Sequence, residues 1–184
     1  MPFFGRQEVH IMMYVMQVLT GKEEYVSGCV KDWLLQDGEE AYSPTCEREI
    51  MLHGKPTPVT ARVFPGYIFI QSENVIDLYF RIRKTKDRHF LQTLTKVLRT
   101  DETFTPMSEA EEHAFLSLFG PDHKAGISRG VIRGGKLKVL DGPLKGKEDS
   151  IIKIDRHKRL AILQMRILGR YMTVKVGLEV AEKE

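Results

Sequence analysis

The residues of this chain that could do chemistry are six histidines, two cysteines and a few carboxylate clusters. Their spacing limits them. His10, His53, His89, His113, His123 and His157 are scattered, and no two stand at the separation that puts two ligands on one helix face. Cys29 and Cys46 are too few for a disulfide framework, and the step from Cys46 to His53 lacks the close ligand pairs of a zinc site. Glu109, Glu111 and Glu112 crowd at a helix start, where the helix dipole favours negative charge, and do not read as an acid–base pair. There is no Walker A string, no dinucleotide-binding glycine fingerprint, no H-E-x-x-H and no nucleophile elbow. The expectation is a protein that is not an enzyme and holds no cofactor or metal.

The chemistry left is binding. Arg81, Arg83, Lys84, Lys86 and Arg88 fall within eight positions, opposed only by Asp87. They suit phosphate contact, with His89 or Phe90 stacking on an unpaired base, and they equally suit a solvated helix end. A second set comprises Lys136, Lys138, Lys145, Lys147, Lys153, Arg156, Lys158, Arg159, Arg166 and Arg170. Alternation along strands would gather several of these on one outer face, as an RNA footprint or as a solubilising surface. Neither set has an aromatic ladder for reading single-stranded sequence. The net charge of +3 hides an asymmetry: residues 127–184 hold 14 Lys/Arg against 7 Asp/Glu, and residues 1–126 hold 14 against 18. Opposite signs in the two halves point to two domains with different partners, the basic one able to face nucleic acid.

The elements that must carry these groups are organised around residues 61–71, A-R-V-F-P-G-Y-I-F-I-Q. Val63, Tyr67, Ile68, Phe69 and Ile70 mark a strand. Pro65-Gly66 interrupts it, since proline cannot donate to a ladder and glycine weakens a strand. The strand is therefore expected to start at a kink with Phe64 and Tyr67 beside the bend, serving either the core or an apolar docking spot. Upstream, residues 11–19 read as a central strand, and Thr20 and Glu23 as a capping box opening an amphipathic helix over 22–36. Residues 40–52 read as an irregular strand or arm, and 53–58 as a turn-rich connection or the mobile tip of a hairpin.

Downstream, a helix is predicted over 74–84, a strand or apolar segment over 90–98, and a second capped helix from Ser108 with Ala114, Phe115, Leu118 and Phe119 as its apolar stripe. The order strand–helix–strand–strand–helix–strand–helix suits a ferredoxin-like α+β sandwich over residues 11–120. Residues 121–129 read as a linker. Beyond it, short strands over 137–140, 150–154, 160–165 and 171–176 alternate with turns, as in a small five-stranded β-barrel over 130–182. No window approaches the roughly 18–20 apolar residues of a membrane span, and the first residues lack a signal-peptide pattern. A monomer in the cytoplasm, with no membrane partner, is expected.

Taken in order, several strings resemble the NusG family of transcription elongation factors. They are Y-V-M-Q-V-L-T-G-K-E over 14–23, F-P-G-Y-I-F-I over 64–70, T-P-M-S over 105–108, L-K-V-L-D-G-P-L-K-G over 137–146 and I-L-G-R over 167–170. The first half resembles the family's NGN domain and the second its KOW domain. The resemblance implies that Met13, Tyr14, Phe64, Pro65, Gly66 and Tyr67 line an apolar pocket for the clamp helices of RNA polymerase. It also implies nucleic-acid partners, an RNA hairpin and non-template DNA, and a KOW partner site at Ile167, Leu168 and Arg170. Departures bear on that site. Met13 stands where housekeeping members have tryptophan, Asp149 where a KOW glycine is expected, and Leu144 and Lys147 where aromatic residues are common. These put contact with the termination factor Rho and a small-subunit ribosomal protein in question. The pattern is most similar to the specialised LoaP branch, antiterminators associated with a leader RNA hairpin. The alternative is an RNA- or ribosome-binding adaptor acting through its KOW barrel.

Overall fold

The computed structural model describes residues 11–97, 99–100, 103–104 and 106–183. His10, Leu98 and Thr105, which figure in the expectations above, lie outside the described residues. In the first half the elements are β1 (Met12–Val18), α1 (Glu23–Trp33), β2 (Glu40–Tyr42), β3 (Thr45–Leu52), β4 (Lys55–Arg62) and β5 (Tyr67–Ser72), then α2 (Val75–Lys84), α3 (Arg88–Thr93) and β6 (Leu94–Val97). The two-residue strands β7 (Arg99–Thr100) and β8 (Thr103–Phe104), α4 (Glu109–Phe119) and β9 (Lys124–Ala125) follow.

The main sheet runs β2-β5-β1-β6, the strand order of a ferredoxin-like sandwich, with β1 antiparallel to both neighbours. Alternation along β1 and β5 divides their side chains between two faces. Met16, Val18, Ile68 and Ile70 pack with Val26, Cys29 and Val30 of α1, Leu78 and Ile82 of α2, and Phe90 of α3. Met13, Val15 and Phe69 point the other way, toward Phe115, Leu118 and Phe119 of α4. Asn74 and Ser108 cap α2 and α4 through their side chains, and Ser108 forms a full capping box with Glu111.

Three expectations are corrected. Thr20 does not cap α1: Lys22 holds the N-cap position without a side-chain cap, so Glu23 is the first helical residue and its carboxylate accepts from Gly21 and Gly66 instead. Residues 90–93 belong to a short helix, since Asp87 accepts from the Phe90 amide and caps it. The hairpin tip expected in residues 53–58 is present at its start. His53 and Gly54 take positive φ as a two-residue hairpin turn, and Pro56 and Pro58 then sit in β4, an edge strand where a missing N–H is tolerated. The linker segment 121–129 is partly held, because Lys124 and Ala125 pair parallel with Thr45 and Cys46 of β3.

The second half contains β10 (Ser128–Arg133), β11 (Lys136–Asp141), β12 (Ile151–Asp155), β13 (Leu160–Ile167) and β14 (Arg170–Lys183), curled into a half-barrel in the order β11-β10-β14-β13-β12. Gly142 is required at the turn after β11: a Cβ there would lie 2.6 Å from the Ser128 Cα. The halves do not have separate cores. Val139, Leu144, Leu163, Ile167, Val174, Val176 and Leu178 share one apolar cluster with Met13, Phe64 and the α4 rings.

Candidate functional site

The site begins with the Pro65-Gly66 bend. Gly66 has φ +83°, its carbonyl accepts from the Val18 amide at 2.8 Å, and its own N–H donates to Glu23 Oε1 at 2.6 Å. Glu23 also accepts from the Gly21 N–H at 2.9 Å and faces Arg62 at 3.6 Å. Burial pushes this carboxyl up, but the three backbone hydrogen bonds and Arg62 outweigh burial and hold it below the ordinary glutamate range. A glutamate 1 % exposed therefore ties the start of α1 to the bend before β5.

The bend aims Phe64 into a cluster of rings. Its centroid is 5.2 Å from Phe69, 6.2 Å from Phe115 and 5.9 Å from Phe119, while Phe69 and Phe115 approach to 4.6 Å. Tyr42 stacks on Phe69 at 6.3 Å and lies flat against His123 at 3.4 Å. Met13 is buried in the same cluster and Tyr67 lies half-buried at its edge. Tyr14 is not with them. Adjacent strand residues point to opposite faces, and Tyr14 shares the parity of Met16. Phe64 is 1 % exposed, so in this arrangement of the halves it offers no docking surface.

The second half covers this cluster. The β13–β14 hairpin turns at Leu168 and Gly169, both at positive φ, and the Gly169 N–H donates to Glu111 Oε1 of α4 at 2.8 Å. The Arg166 guanidinium stands 3.7 Å from the same carboxylate. On the other side β14 crosses β3: the Cys46 thiol meets the Lys175 carbonyl at 3.4 Å, and Gly177 lies against the Glu47 backbone so closely that a Cβ would collide with its carbonyl oxygen. Arg159 closes the contact with an ion pair to Glu49. Of the hairpin residues expected to meet a partner, Ile167 is buried, Leu168 is half-buried and Arg170 is exposed.

A buried aromatic cluster beside a Pro-Gly bend, on a ferredoxin-like sheet followed by a curled five-stranded half-barrel, is now in view. A family model described as "NusG: Transcription termination factor nusG" matches residues 13–116. The chain belongs to the NusG family. A solved structure described as "Domain interaction in Thermotoga maritima NusG" matches with a TM-score of 0.51 at 17% identity, over 91% of this chain and 94% of that one. At that identity it supports the fold. No curated protein matches the chain in sequence. NusG-family proteins are transcription factors that generally interact with RNA polymerase.

On this NusG fold the basic residues separate into those held in ion pairs and those exposed at the surface. Arg81 is tied to Asp77 at 3.0 Å and Glu39 at 2.9 Å. Arg83, Lys84, Lys86 and Arg88 are exposed, with Arg83 5.9 Å over the Tyr79 ring. Phe90 is fully buried and cannot stack on a base; His89 is exposed and edges against Tyr25 of α1 at 5.2 Å. In the second half Lys136, Lys145, Lys153, Arg156 and Lys158 are exposed and Lys147 is half-buried, whereas Arg159 and Arg166 serve the contact between halves. Among the described residues no three of His, Cys, Asp and Glu gather as a metal site, and no helix is long and apolar enough to cross a membrane. Glu111 and Gly177, which hold the halves together, were missed. Glu111 was legible as a capping residue, but nothing local marks a glycine that meets another strand's backbone.

Proposed function

We propose that this chain is a transcription elongation and antitermination factor of the LoaP kind. In this reading it docks on the clamp helices of RNA polymerase through Met13, Phe64, Pro65, Gly66 and Tyr67 and holds a structured leader RNA through its exposed cations. The observation that supports polymerase docking is the concentration of aromatic rings around Phe64, placed by the Pro65-Gly66 bend. Apolar helix tips require a concave aromatic patch, and aromatic rings that become buried on binding are the usual centre of a hot spot. The same rings lie under α4 and the second half, so docking requires the halves to part, and the contact between them acts as a brake.

RNA binding rests on exposed Arg83, Lys84, Lys86 and Arg88 in one half and Lys136, Lys145, Lys153, Arg156 and Lys158 in the other. Without an aromatic platform in either set, the shape of a hairpin is the target, held by phosphate contacts. Titration of the full chain with a leader hairpin at two salt concentrations tests this. Binding should weaken steeply with salt, and salt-independent binding would contradict it. The adaptor reading requires the same opening, because its hairpin residue Ile167 is buried and Gly169 is bonded to Glu111. Binding of a ribosomal protein without binding of the clamp helices would favour that reading.

A further inference from the structure

A groove of about 850 Å³ runs between the outer ridge of α1 and the β3–β4 hairpin, within the size range of ligand sites. Its walls carry Glu24, Ser27 and Lys31 from α1, Ser43 from the β2–β3 connection, Thr45 and Arg48 from β3, and Thr60 and Arg62 from β4. Two of its polar atoms, Arg48 Nε and Ser43 Oγ, are buried and have no hydrogen-bond partner among the described residues. Buried polar atoms are normally paired. The neighbouring Arg62 shows the ordinary solution, with Glu24 at 3.0 Å and Glu23 at 3.6 Å. Arg48 and Lys31 have no such carboxylate among the described residues. Gly28 lines the same wall, and a Cβ there would meet nothing within 4 Å, so the space beside the helix backbone is open.

Besides the Glu24–Arg62 pair, the open groove gathers Arg48 and Lys31 with several hydroxyls, an excess of positive charge and donors. We propose that it binds a phosphate of a nucleic-acid backbone, with Arg48 and Lys31 as the charge partners and Ser43 as a hydroxyl donor. Nucleic acid is favoured over an acidic peptide by what lies across α1. The opposite flank of that helix meets α3, Tyr25 against His89 at 5.2 Å and Trp33 against Phe90 at 6.2 Å, beside exposed Lys86 and Arg88. A strand held at that cluster needs only to cross one helix to reach the groove. The proposal deepens the RNA-binding reading above and rests on it for the identity of the strand.

The test follows the Arg48 Nε–H resonance of the full chain by nitrogen-15 NMR, first with inorganic pyrophosphate and then with a single-stranded oligonucleotide. Both should move it, and Arg48→Gln should lower the salt slope of oligonucleotide binding by about 1, as expected for one lost phosphate contact. Lys31→Gln, at an exposed helix position, should act in the same direction and does not endanger folding. A resonance unmoved by pyrophosphate overturns the site. Movement with pyrophosphate but an unchanged slope in both variants means an adventitious ion only, and overturns the nucleic-acid assignment. A larger response to poly-glutamate than to the oligonucleotide at equal charge also overturns it. Reversal of Arg83 and Lys84 to glutamate should leave the pyrophosphate response intact, so failure of the hairpin reading is seen separately.

Discussion

The Gly169 N–H and the Glu111 carboxylate, 58 positions apart in sequence, meet at 2.8 Å and join the hairpin of one half to the first turn of α4 in the other. Glu111 accepts at the same time from the Ser108 N–H at 3.0 Å, so one carboxylate both caps the helix and docks the second half. Replacing it with glutamine keeps the shape and removes the charge. Glu111→Gln should reduce stability by about 1.5–3 kcal/mol, the range for a hydrogen bond to a charged group. Hydrogen exchange at the Gly169 amide should rise more than at the Ile68 amide in β5. Equal protection in variant and wild type would remove Glu111 from the contact.

Acid should loosen the same contact. Burial raises the Glu111 pKa, but hydrogen bonds from Gly169 and Ser108 and the charge of Arg166 prevail, and the carboxyl lies below its ordinary 4.5. A group whose folded pKa is depressed contributes its full stability above the unfolded value and loses it as pH falls through the folded one. Glu23, depressed in the same direction, likewise loses its contribution as pH falls and loosens the Pro65-Gly66 bend. Exchange measured from neutral pH down through the carboxylate range should show opening at Gly169 that is absent from Glu111→Gln. The same pH dependence in that variant would assign the effect elsewhere.

Gly177 offers a way to part the halves without touching a charge. A methyl group there would press on the Glu47 carbonyl and come within 3.0 Å of Ile127, so one strand must move. Gly177→Ala should destabilise the docked arrangement by about 1–3 kcal/mol, the range for overpacking. Loss of the Cys46–Lys175 contact should make Cys46, now buried and with a thiol pKa raised by burial, accessible to thiol reagents. An unreactive Cys46 would mean that the strands accommodate the methyl group.

Gly66 is needed for a different reason. At φ +83° a side chain is strained, and its Cβ would stand 3.1 Å from the Thr20 hydroxyl. Gly66→Ala should lower stability by about 1–3 kcal/mol, the usual strain of a non-glycine residue in that region. Thermal unfolding checks it, and an unchanged melting temperature would show that the bend relaxes freely.

The sandwich was legible because its signals are local: alternation along β1 and β5, the Ser108 capping box, the Asn74 start of α2. Errors arose where partners distant in sequence took over. Glu23 looks like a capping residue for Thr20, but the Gly66 N–H, 43 positions on, captures its carboxylate. Residues 124–125 read as linker because their partner strand lies some 80 positions earlier, at Thr45 and Cys46. For the candidate site, the sequence marked Phe64 and Tyr67 but left core and docking roles open. In this arrangement of the halves Phe64 belongs to the core, and the adjacent Tyr14 points to the opposite face from Met13.

The most direct test is the affinity of an isolated RNA polymerase clamp-helix fragment for the wild-type chain, Gly177→Ala and Tyr67→Ala. Tyr67, half-buried at the edge of the cluster, is a cleaner probe than Phe64, whose removal would cost about 3–5 kcal/mol of core packing. If the aromatic cluster is a polymerase site held shut by the second half, the clamp helices bind the wild type weakly and Gly177→Ala more tightly. Tyr67→Ala then weakens the opened protein by about 2 kcal/mol or more. Clamp helices that bind none of the three, or bind all three equally, would contradict the account.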